Sequence, residues 1–226
     1  MALALAQQGS RVLMICRPSE RADSAFARVK EVAAIAPVVI HADLSRPHEA
    51  QRAAELIWQS APQLDVMIHN AGVWPMRRLL TPEGFETSFA VNHLAPFIMN
   101  QALLPYLRSS PQARVVQVTA GLYGKGRVDL QRTPRGDDFH RITTYANTKL
   151  WNLLATLHLS QALAGSHATV NAVHPGVVRT RLGASTSLIG GVLWLVKRFW
   201  LSPEAGARGP IRLAIEPSLA KTTGQL

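Results

Sequence analysis

The sequence predicts an α/β protein built on a doubly wound parallel sheet, and two observations support this fold class. Short runs rich in Val, Ile and Leu alternate with segments of helical length, as in proteins whose parallel strands are joined by helices. These runs are apolar on both faces, which is typical of strands covered by helices on both sides. With 226 residues, of which 47% are hydrophobic, the chain can bury one sizeable core. We therefore expect residues 1–226 to form a single domain.

The elements are expected in regular succession. Residues 2–8 have the composition of the second half of a helix, which Gly9 ends. Strands are expected at 11–16 (RVLMIC), 37–44 (PVVIHADL), 64–72 (LDVMIHNAG), 113–119 (ARVVQVT) and 168–176 (ATVNAVHPG). Helices are expected at 24–36, 47–61, 81–107 and 145–164, the third being one long helix or two with a joint near Pro96. The remaining stretches are loops, with further helix after residue 176.

The composition excludes several classes of function. The net charge is +10, but the basic residues are spread over helix ends and loops, so we expect no nucleic-acid surface. The single cysteine, Cys16, fits a reducing cytosol, and we expect a cytoplasmic protein. The longest apolar run, 187–201, is too short for a transmembrane span and is interrupted by Lys197 and Arg198.

Two polar residues follow the first two predicted strands, where ligands of such sheets bind. An arginine after the first strand suits the 2′-phosphate of NADP, whereas an acid would suit the ribose of NAD. Arg17 therefore favours NADP(H) over NAD(H), with a surface arginine that caps a helix as the alternative. Asp43 follows the second strand and can accept a hydrogen bond from an adenine amino group. Its alternative role, which Ser45 could also fill, is to cap the helix that starts at Pro47.

Small residues follow the third predicted strand. They would let the backbone lie close to a ligand, although an ordinary tight turn would also use them. The residues concerned are Asn70, Ala71 and Gly72.

A tyrosine and a lysine lie four residues apart at the start of the helix predicted at 145–164. Tyr145 and Lys149, in YANTK, therefore share one face of the helix. A phenol has an ordinary pKa of about 10, and a neighbouring ammonium favours the phenolate. The spacing predicts that Lys149 brings the pKa of Tyr145 toward neutrality, as a general acid/base requires. A chance pair of helical residues is the alternative when this spacing stands alone.

Four motifs taken together carry a resemblance. HNAG (69–72), VNHLAPF (91–97), YANTK (145–149) and NAVHPGVVRTRL (171–182) follow one another in the order and spacing of the short-chain dehydrogenase/reductase family. The long interval before the tyrosine, with DLQR in it, is most similar to the retinol-dehydrogenase and WW-domain-oxidoreductase-like branch. The resemblance covers the whole chain and implies a Rossmann-like fold. It also implies an NADP(H)-dependent oxidoreductase that interconverts a small hydrophobic alcohol and its aldehyde or ketone.

The resemblance assigns roles to residues of this sequence. Tyr145 would donate the proton to a carbonyl or take it from an alcohol, Lys149 would lower the pKa of Tyr145 and hold the nicotinamide ribose, and Asn92 would order a relay water at a break in its helix. The adenosine side of the cofactor would be lined by Asn70, Ala71 and Gly72, with Asp43 at the adenine. The nicotinamide would be covered by backbone groups of Pro175, Gly176 and Val177, with Thr180, and Leu44 would also line the cofactor. The segment 187–201 would be the substrate loop, with an amphipathic helix on the core as the alternative. Relatives form dimers or tetramers through the helices at 81–107 and 145–164, so a homodimer or homotetramer is expected by analogy.

The sequence departs from the family at the residue that should bind the reacting carbonyl. The family has a serine at the end of its fifth strand, and the matching position here, 25 residues before Tyr145, is Ala120. The hydroxyl of the preceding Thr119 is the candidate replacement, through a one-residue shift or a bulge. Its alternative role is that of a buried strand-end residue bonded to backbone. Tyr123 is a weaker candidate.

A second departure concerns the first strand and the glycine-rich TGxxxGIG turn of the family, which binds the pyrophosphate of the cofactor. In the family, the segment ALALAQQGSRVLMICR follows directly after that turn. We therefore expect an N-terminally truncated domain that lacks this strand and loop, with an interruption between the strands at 11–16 and 64–69. The competing hypothesis is a non-catalytic or degenerate member that senses nucleotides, mediates interactions or has no function.

Overall fold

The computed structural model describes residues 1–178 and 201–226. The strands of that part of the chain are β1 (Leu13–Cys16), β2 (Val38–His41), β3 (Val66–His69), β4 (Arg114–Val118) and β5 (Thr169–Val173). All of their pairings are parallel, with Leu13 opposite Val38, Val66 opposite Arg114, and Arg114 opposite Thr169. The prediction of a parallel α/β fold is confirmed.

The strands form two separate sheets. One contains β1 and β2, and the other has the order β3-β4-β5. This division confirms the predicted interruption between the strands at 11–16 and 64–69. The two sheets share one hydrophobic core, because buried residues of both, such as Ile40 and Met67, belong to a single apolar cluster.

The helices cover the sheets. They are α1 (Ala2–Gln7), α2 (Glu20–Val32), α3 (Pro47–Ser60), α4 (Thr87–Phe89), α5 (Ala95–Ser109), α6 (Arg141–Ala162) and α7 (Pro203–Ile215). A π turn at Ala90–Leu94 joins α4 to α5, so the three form one continuous rod. None of the helices in the two described stretches is both long and apolar enough to cross a membrane.

Several predicted helix boundaries were wrong because local capping sets the true ones. Helix α2 starts at Glu20, since the Ser19 hydroxyl accepts a hydrogen bond from Ala22 N at 3.2 Å. The helix expected from residue 81 starts at Thr87, where the Glu86 carboxylate accepts from Phe89 N at 2.9 Å. A side-chain oxygen or nitrogen that takes up an orphan N–H defines where a helix begins. In α6 the His140 ring has this role, so the helix starts one turn before Tyr145.

The start of α3 also corrects an expectation. Neither Asp43 nor Ser45 caps this helix: its N-cap residue is Arg46, which has no capping side chain, and Pro47 begins the helix. The Asp43 carboxylate instead accepts a hydrogen bond from Ser45 N at 3.0 Å, which closes a turn before the helix. The turn leaves Asp43 at the carboxyl end of β2.

The core lies between the sheets and the helices α3 and α5. The small inner face of α3, formed by Ala50, Ala53 and Ala54, packs closely against α5, whose Leu103 and Leu107 are fully buried. The Tyr106 hydroxyl donates a hydrogen bond to Ala61 O at 2.5 Å and so ties the end of α3 to α5. Because α5 continues the rod that contains the π turn, this packing fixes the position of residues 90–94.

Candidate active site

The candidate site lies where the carboxyl ends of β3 and β4 meet the first two turns of α6. Gly72 follows β3, Thr119 follows β4, and Tyr145 and Lys149 lie on the buried face of α6. Asn92 approaches from the π turn of the neighbouring rod. The structure thus brings together the four residues predicted to carry the chemistry and one of those predicted to line the cofactor.

The π turn sets the position of Asn92. Its wide turn is closed by a hydrogen bond from Ala95 N to Ala90 O, and Asn92 inside it is fully buried. Such π turns are rare and occur frequently at functional sites. The break that the resemblance implied at Asn92 is therefore present, and the π turn ends at Leu94, two residues before the joint expected near Pro96.

Asn92 holds the loop that follows β3. Its Oδ1 accepts from Val73 N at 2.7 Å, and its Nδ2 donates to Val73 O at 3.0 Å and to Thr148 Oγ1 at 3.2 Å. Its main-chain carbonyl accepts from Asn152 Nδ2 at 2.8 Å. The predicted role of Asn92 in ordering a relay water stays a prediction. Asn92 connects the loop after β3 to α6.

The Tyr145 and Lys149 side chains are neighbours, as their spacing predicted. The Lys149 Nζ lies 5.4 Å from the centroid of the Tyr145 ring and donates a hydrogen bond to Val118 O at 3.2 Å. Each of the two residues is 5% exposed. A Cβ atom placed on Gly72 would lie 3.9 Å from Nζ and 3.6 Å from Asn92 Oδ1, so any larger side chain there would enter the space beside the ammonium.

The titration behaviour of the pair differs from the expectation. Burial raises the pKa of Tyr145 to about 12 and lowers the pKa of Lys149 to about 8. Desolvation disfavours the charged form of each group and is the cause of both shifts. Near neutral pH the protein therefore presents a protonated phenol next to a lysine that is mostly charged.

Thr119 has the contacts of its alternative role. Its hydroxyl donates to Lys149 O at 3.3 Å and its N–H donates to Val173 O at 2.9 Å, and the residue is 2% exposed. The backbone of Ala120 is extended, and the turn Gly121–Lys125 follows. The Thr119 hydroxyl is thus bonded to the backbone of α6, and its predicted role toward the substrate remains a prediction.

Trp74 is a site residue that sequence reasoning missed. Its indole stacks on the Tyr145 ring with the centroids 4.6 Å apart and an interplanar angle of 16°. The indole Nε1 donates a hydrogen bond to Arg141 O at 2.6 Å, in the first turn of α6. Its position two residues after HNAG, at the carboxyl end of a strand, was the feature that could have indicated it.

Of the residues predicted for the adenosine side of a cofactor, Arg17 and Asp43 lie at the carboxyl ends of β1 and β2. Gly72 follows β3 and lies beside Lys149, which was predicted to hold the nicotinamide ribose. Burial acts to raise the pKa of Asp43, but hydrogen bonds from Ser45 and the positive charges of Arg17 and Arg46 outweigh it and hold that pKa below its ordinary value. Arg17 is exposed, while Leu44 is half-buried against the core. Arg17 and Asp43 thus lie near each other, as one adenosine site would require.

The remaining predicted cofactor residues lie after β3 and β5. Asn70 and Ala71 are exposed in the turn before Gly72. Gly176 has a φ of +80°, and a Cβ there would lie 2.5 Å from a Leu201 side-chain carbon, so only glycine fits that position. Val177 accepts a hydrogen bond from Leu201 N at 2.9 Å, and Pro175 is half-buried. Thr180 and the segment 187–200 lie outside the described residues.

The residues present fit the nicotinamide half of a dinucleotide. A buried ammonium has three donors, and within residues 1–178 and 201–226 its hydrogen-bond acceptor is Val118 O. Gly72 leaves room beside it, and ribose hydroxyls have the acceptor oxygens that the remaining donors require. The fold and this buried tyrosine–lysine pair define the class of protein: an oxidoreductase with a Rossmann-like fold.

Comparison with known proteins gives the family. Residues 1–188 match the family model described as short chain dehydrogenase. The chain belongs to this family, and its relatives place it in the retinol dehydrogenase branch.

Three relatives illustrate the similarity. Mouse retinol dehydrogenase 14 is 33% identical over 239 residues, which cover 98% of this chain and 71% of the mouse protein. Human retinol dehydrogenase 12 is 34% identical over 226 residues, covering 98% of this chain and 70% of its own length. Bovine dehydrogenase/reductase SDR family member 13 is 34% identical over 233 residues, covering 99% of this chain and 60% of the bovine protein.

Solved structures agree on the fold. A short chain dehydrogenase from Salmonella enterica serovar Typhi has a TM-score of 0.77 at 22% identity, covering 99% of this chain and 87% of that one. A short chain dehydrogenase from Burkholderia cenocepacia, crystallised in complex with NADP, has a TM-score of 0.76 at 21% identity, with the same coverage.

Proposed function

We propose that this oxidoreductase interconverts a hydrophobic alcohol and its aldehyde or ketone, with NADP(H) as the cofactor and Tyr145 as the general acid/base. The observation that carries the proposal is the buried pair of Tyr145 and Lys149 beside Gly72, at the carboxyl ends of β3 and β4. Relatives that are about a third identical over nearly the whole chain are named retinol dehydrogenases, which supports an alcohol as the substrate.

Tyr145 is suited to give a proton. With a pKa of about 12 its phenol is protonated near neutral pH, so it donates to the oxygen of a carbonyl without a preceding ionisation. Oxidation of an alcohol needs the phenolate and is therefore favoured as the pH rises. When bound, a nicotinamide would supply the hydride in reduction and accept it in oxidation.

Lys149 and Asn92 position the reacting groups. With a pKa of about 8, Lys149 is mostly charged near neutral pH, and its ammonium holds ribose hydroxyls beside Gly72. Asn92 orders the loop after β3 through both backbone groups of Val73. Arg17 binds the 2′-phosphate, and its proximity to Asp43 supports an adenosine site at the ends of β1 and β2.

A hydrophobic substrate is supported by the residues on the loops around the site. Large apolar side chains are exposed on the loops that follow β3, β4 and β5, and an apolar substrate would shield such side chains from water. They are Met76, Leu79, Leu80, Val128, Leu130 and Val177.

The test is NADPH consumption by the chain with a series of aldehydes and ketones, followed by absorbance. Replacing Tyr145 by Phe removes the proton donor and is expected to lower kcat by about 10²–10⁴. Tyr106→Phe, in the last turn of α5, removes a hydroxyl bonded to Ala61 O; this variant is the control and is expected to keep the activity. Absence of turnover by the native chain with every carbonyl compound contradicts the proposal.

A thermal melt with and without NADPH distinguishes this enzyme from the competing hypothesis of a non-catalytic or degenerate member of the family. A cofactor that binds only the native state raises the melting temperature by mass action. A shift without turnover supports a nucleotide-sensing protein, and absence of both contradicts a cofactor site altogether.

A further inference from the structure

Trp74 covers one face of the Tyr145 ring. The two rings are almost parallel, with an interplanar angle of 16° and 4.6 Å between their centroids. The indole therefore closes that face of the Tyr145 ring to a substrate. Trp74 itself is half-buried, so part of the indole stays open toward the loops around the site.

Polar contacts on both sides of Trp74 hold the indole in place. The residue before it, Val73, has both backbone groups bonded to Asn92. The indole N–H donates to Arg141 O at 2.6 Å. A side chain that is stacked, hydrogen bonded and preceded by an anchored backbone has little rotamer freedom, so it acts as a rigid wall.

The loop that carries Trp74 is also fastened to the loop that leads into α6. The Arg78 guanidinium donates to Arg135 O at 2.7 and 3.1 Å and to Asp137 Oδ1 at 2.6 Å. Glu86 N donates to Pro134 O at 2.8 Å. The wall therefore moves only together with the loop at 132–140.

These contacts fix the indole beside Tyr145, and its role toward the substrate depends on the proposed function. We propose that Trp74 is the specificity-determining wall of the substrate site. It excludes carbonyl compounds with bulky branching next to the carbonyl carbon and accepts slim or flat conjugated ones, which lie along the indole. A flat conjugated chain gains stacking on an aromatic face, whereas a branched group next to the carbonyl meets the indole edge before the oxygen reaches Tyr145.

The test compares two substrates in two variants. The ratio of kcat/KM for pivaldehyde to that for hexanal is measured for the native chain and for Trp74→Ala, with Trp58→Ala as the matched control. Trp58 also stacks on a tyrosine, Tyr106, at 5.1 Å, but it is 50% exposed on α3. We expect Trp74→Ala to raise the ratio by about tenfold or more, the effect of a large apolar group in a substrate pocket. Trp58→Ala leaves it unchanged.

The ratio does not depend on the fraction of folded enzyme, because both substrates meet the same active molecules. A loss of stability in Trp74→Ala therefore cannot imitate the expected rise in the ratio. Trp74→Phe keeps an aromatic ring stacked on Tyr145 and should give a ratio between those of the native chain and Trp74→Ala. A ratio that is the same in the native chain and in Trp74→Ala overturns the inference while the proposed function stands.

A binding measurement covers the case in which the native chain does not turn over. Cinnamaldehyde, a flat conjugated aldehyde, is titrated into the native chain, Trp74→Phe and Trp58→Phe while tryptophan fluorescence is followed. We expect quenching in the native chain and Trp58→Phe, and most of it lost in Trp74→Phe. Equal quenching in all three, or none in the native chain, overturns the inference, whereas absence of turnover alone contradicts only the proposed function.

Discussion

Two buried histidines predict that the protein loses stability in mild acid. His69 Nε2 lies 2.8 Å from Asn100 Oδ1, and His93 Nδ1 lies 3.2 Å from Asn152 Oδ1. An amide oxygen accepts, so each imidazole donates from that nitrogen. Burial lowers the pKa of each ring from 6.5 to about 4.

The sign of the effect follows from proton binding. Below a pH of about 6.5 the unfolded histidines bind protons that the native ones do not, so the stability present above that pH is lost as the pH falls toward 4. From about pH 7 to about pH 5, each histidine costs about 1.8 kcal/mol and the two together about 3.5 kcal/mol. Domains of this kind have a free energy of unfolding of about 5–15 kcal/mol. The loss is therefore large enough to measure.

The assay is urea denaturation of the native chain and of His69→Gln, His93→Gln and the double variant at the two pH values. Glutamine keeps an N–H donor for the amide but does not titrate in this range. We expect each single substitution to remove about half of the loss between the two pH values. His158→Gln, an exposed histidine on α6, is the control.

A double variant with the same pH dependence as the native chain would refute the reasoning. Other groups do not disturb the comparison. Burial raises the pKa of Glu86, which favours the native state as the pH falls and so opposes the histidines. Because Glu86 is present in every variant, its contribution cancels when the variants are compared.

Three further predictions concern the site. Asn92→Ala leaves the N–H and C=O of Val73 without their hydrogen bonds to the Asn92 side chain. It should lower the free energy of unfolding, measured in urea, by about 2–4 kcal/mol, and a loss below about 0.5 kcal/mol contradicts this prediction. Ala120→Ser restores a hydroxyl at the position of the family serine and should raise kcat by about tenfold, whereas Thr119→Val should leave kcat within about twofold. If Thr119→Val lowers kcat and Ala120→Ser does not raise it, the hydroxyl that contacts the substrate is that of Thr119. Arg17→Ala should raise the KM for NADPH by about tenfold with little change for NADH, and equal changes for both contradict a 2′-phosphate contact.

Most of the fold was predictable because strands and helices leave a periodic pattern in the sequence. All five strands lie within the apolar runs that predicted them. Helix starts were less predictable, since they depend on which nearby side chain reaches an unpaired N–H. Glu86 and His140 do this for the rod and for α6, and neither belongs to the residue types that favour N-caps most strongly.

The proximity of Tyr145, Lys149, Asn92 and Thr119 was predictable, but Trp74 and the electrostatics of the candidate site were not. A spacing of four residues places Tyr145 and Lys149 on one face of a helix regardless of what surrounds them. The pKa of the tyrosine depends on how far water is excluded, and that is decided by side chains from elsewhere in the chain, Trp74 among them. No local pattern shows that residue 74 stacks on residue 145, so the direction of the pKa shift could be found only from the structure.

The polar network around Asn92 explains why the site behaves as one unit. Thr148, between Tyr145 and Lys149 on α6, accepts from Asn92 Nδ2 at 3.2 Å and donates to Tyr145 O at 2.8 Å. Asn152, one turn further on, donates to Asn92 O. The helix that carries Tyr145 therefore also holds the π turn, and the π turn holds the backbone next to Trp74.

A substitution in this network affects Trp74 and Tyr145 together. Loss of Asn92, Thr148 or Asn152 leaves buried polar groups of its partners unpaired, and buried networks that are only partly satisfied lose more than single bonds. The loop bearing Trp74 would loosen, and water would reach Tyr145. Burial is the cause of the raised pKa of Tyr145. Such variants should therefore lower the pKa seen in the pH profile of alcohol oxidation, and Trp74→Ala should lower this pKa too. A pH profile that shifts in Trp74→Ala but not in Asn92→Ala would show that the wall is held by its own stacking and by Arg141, and not by the π turn.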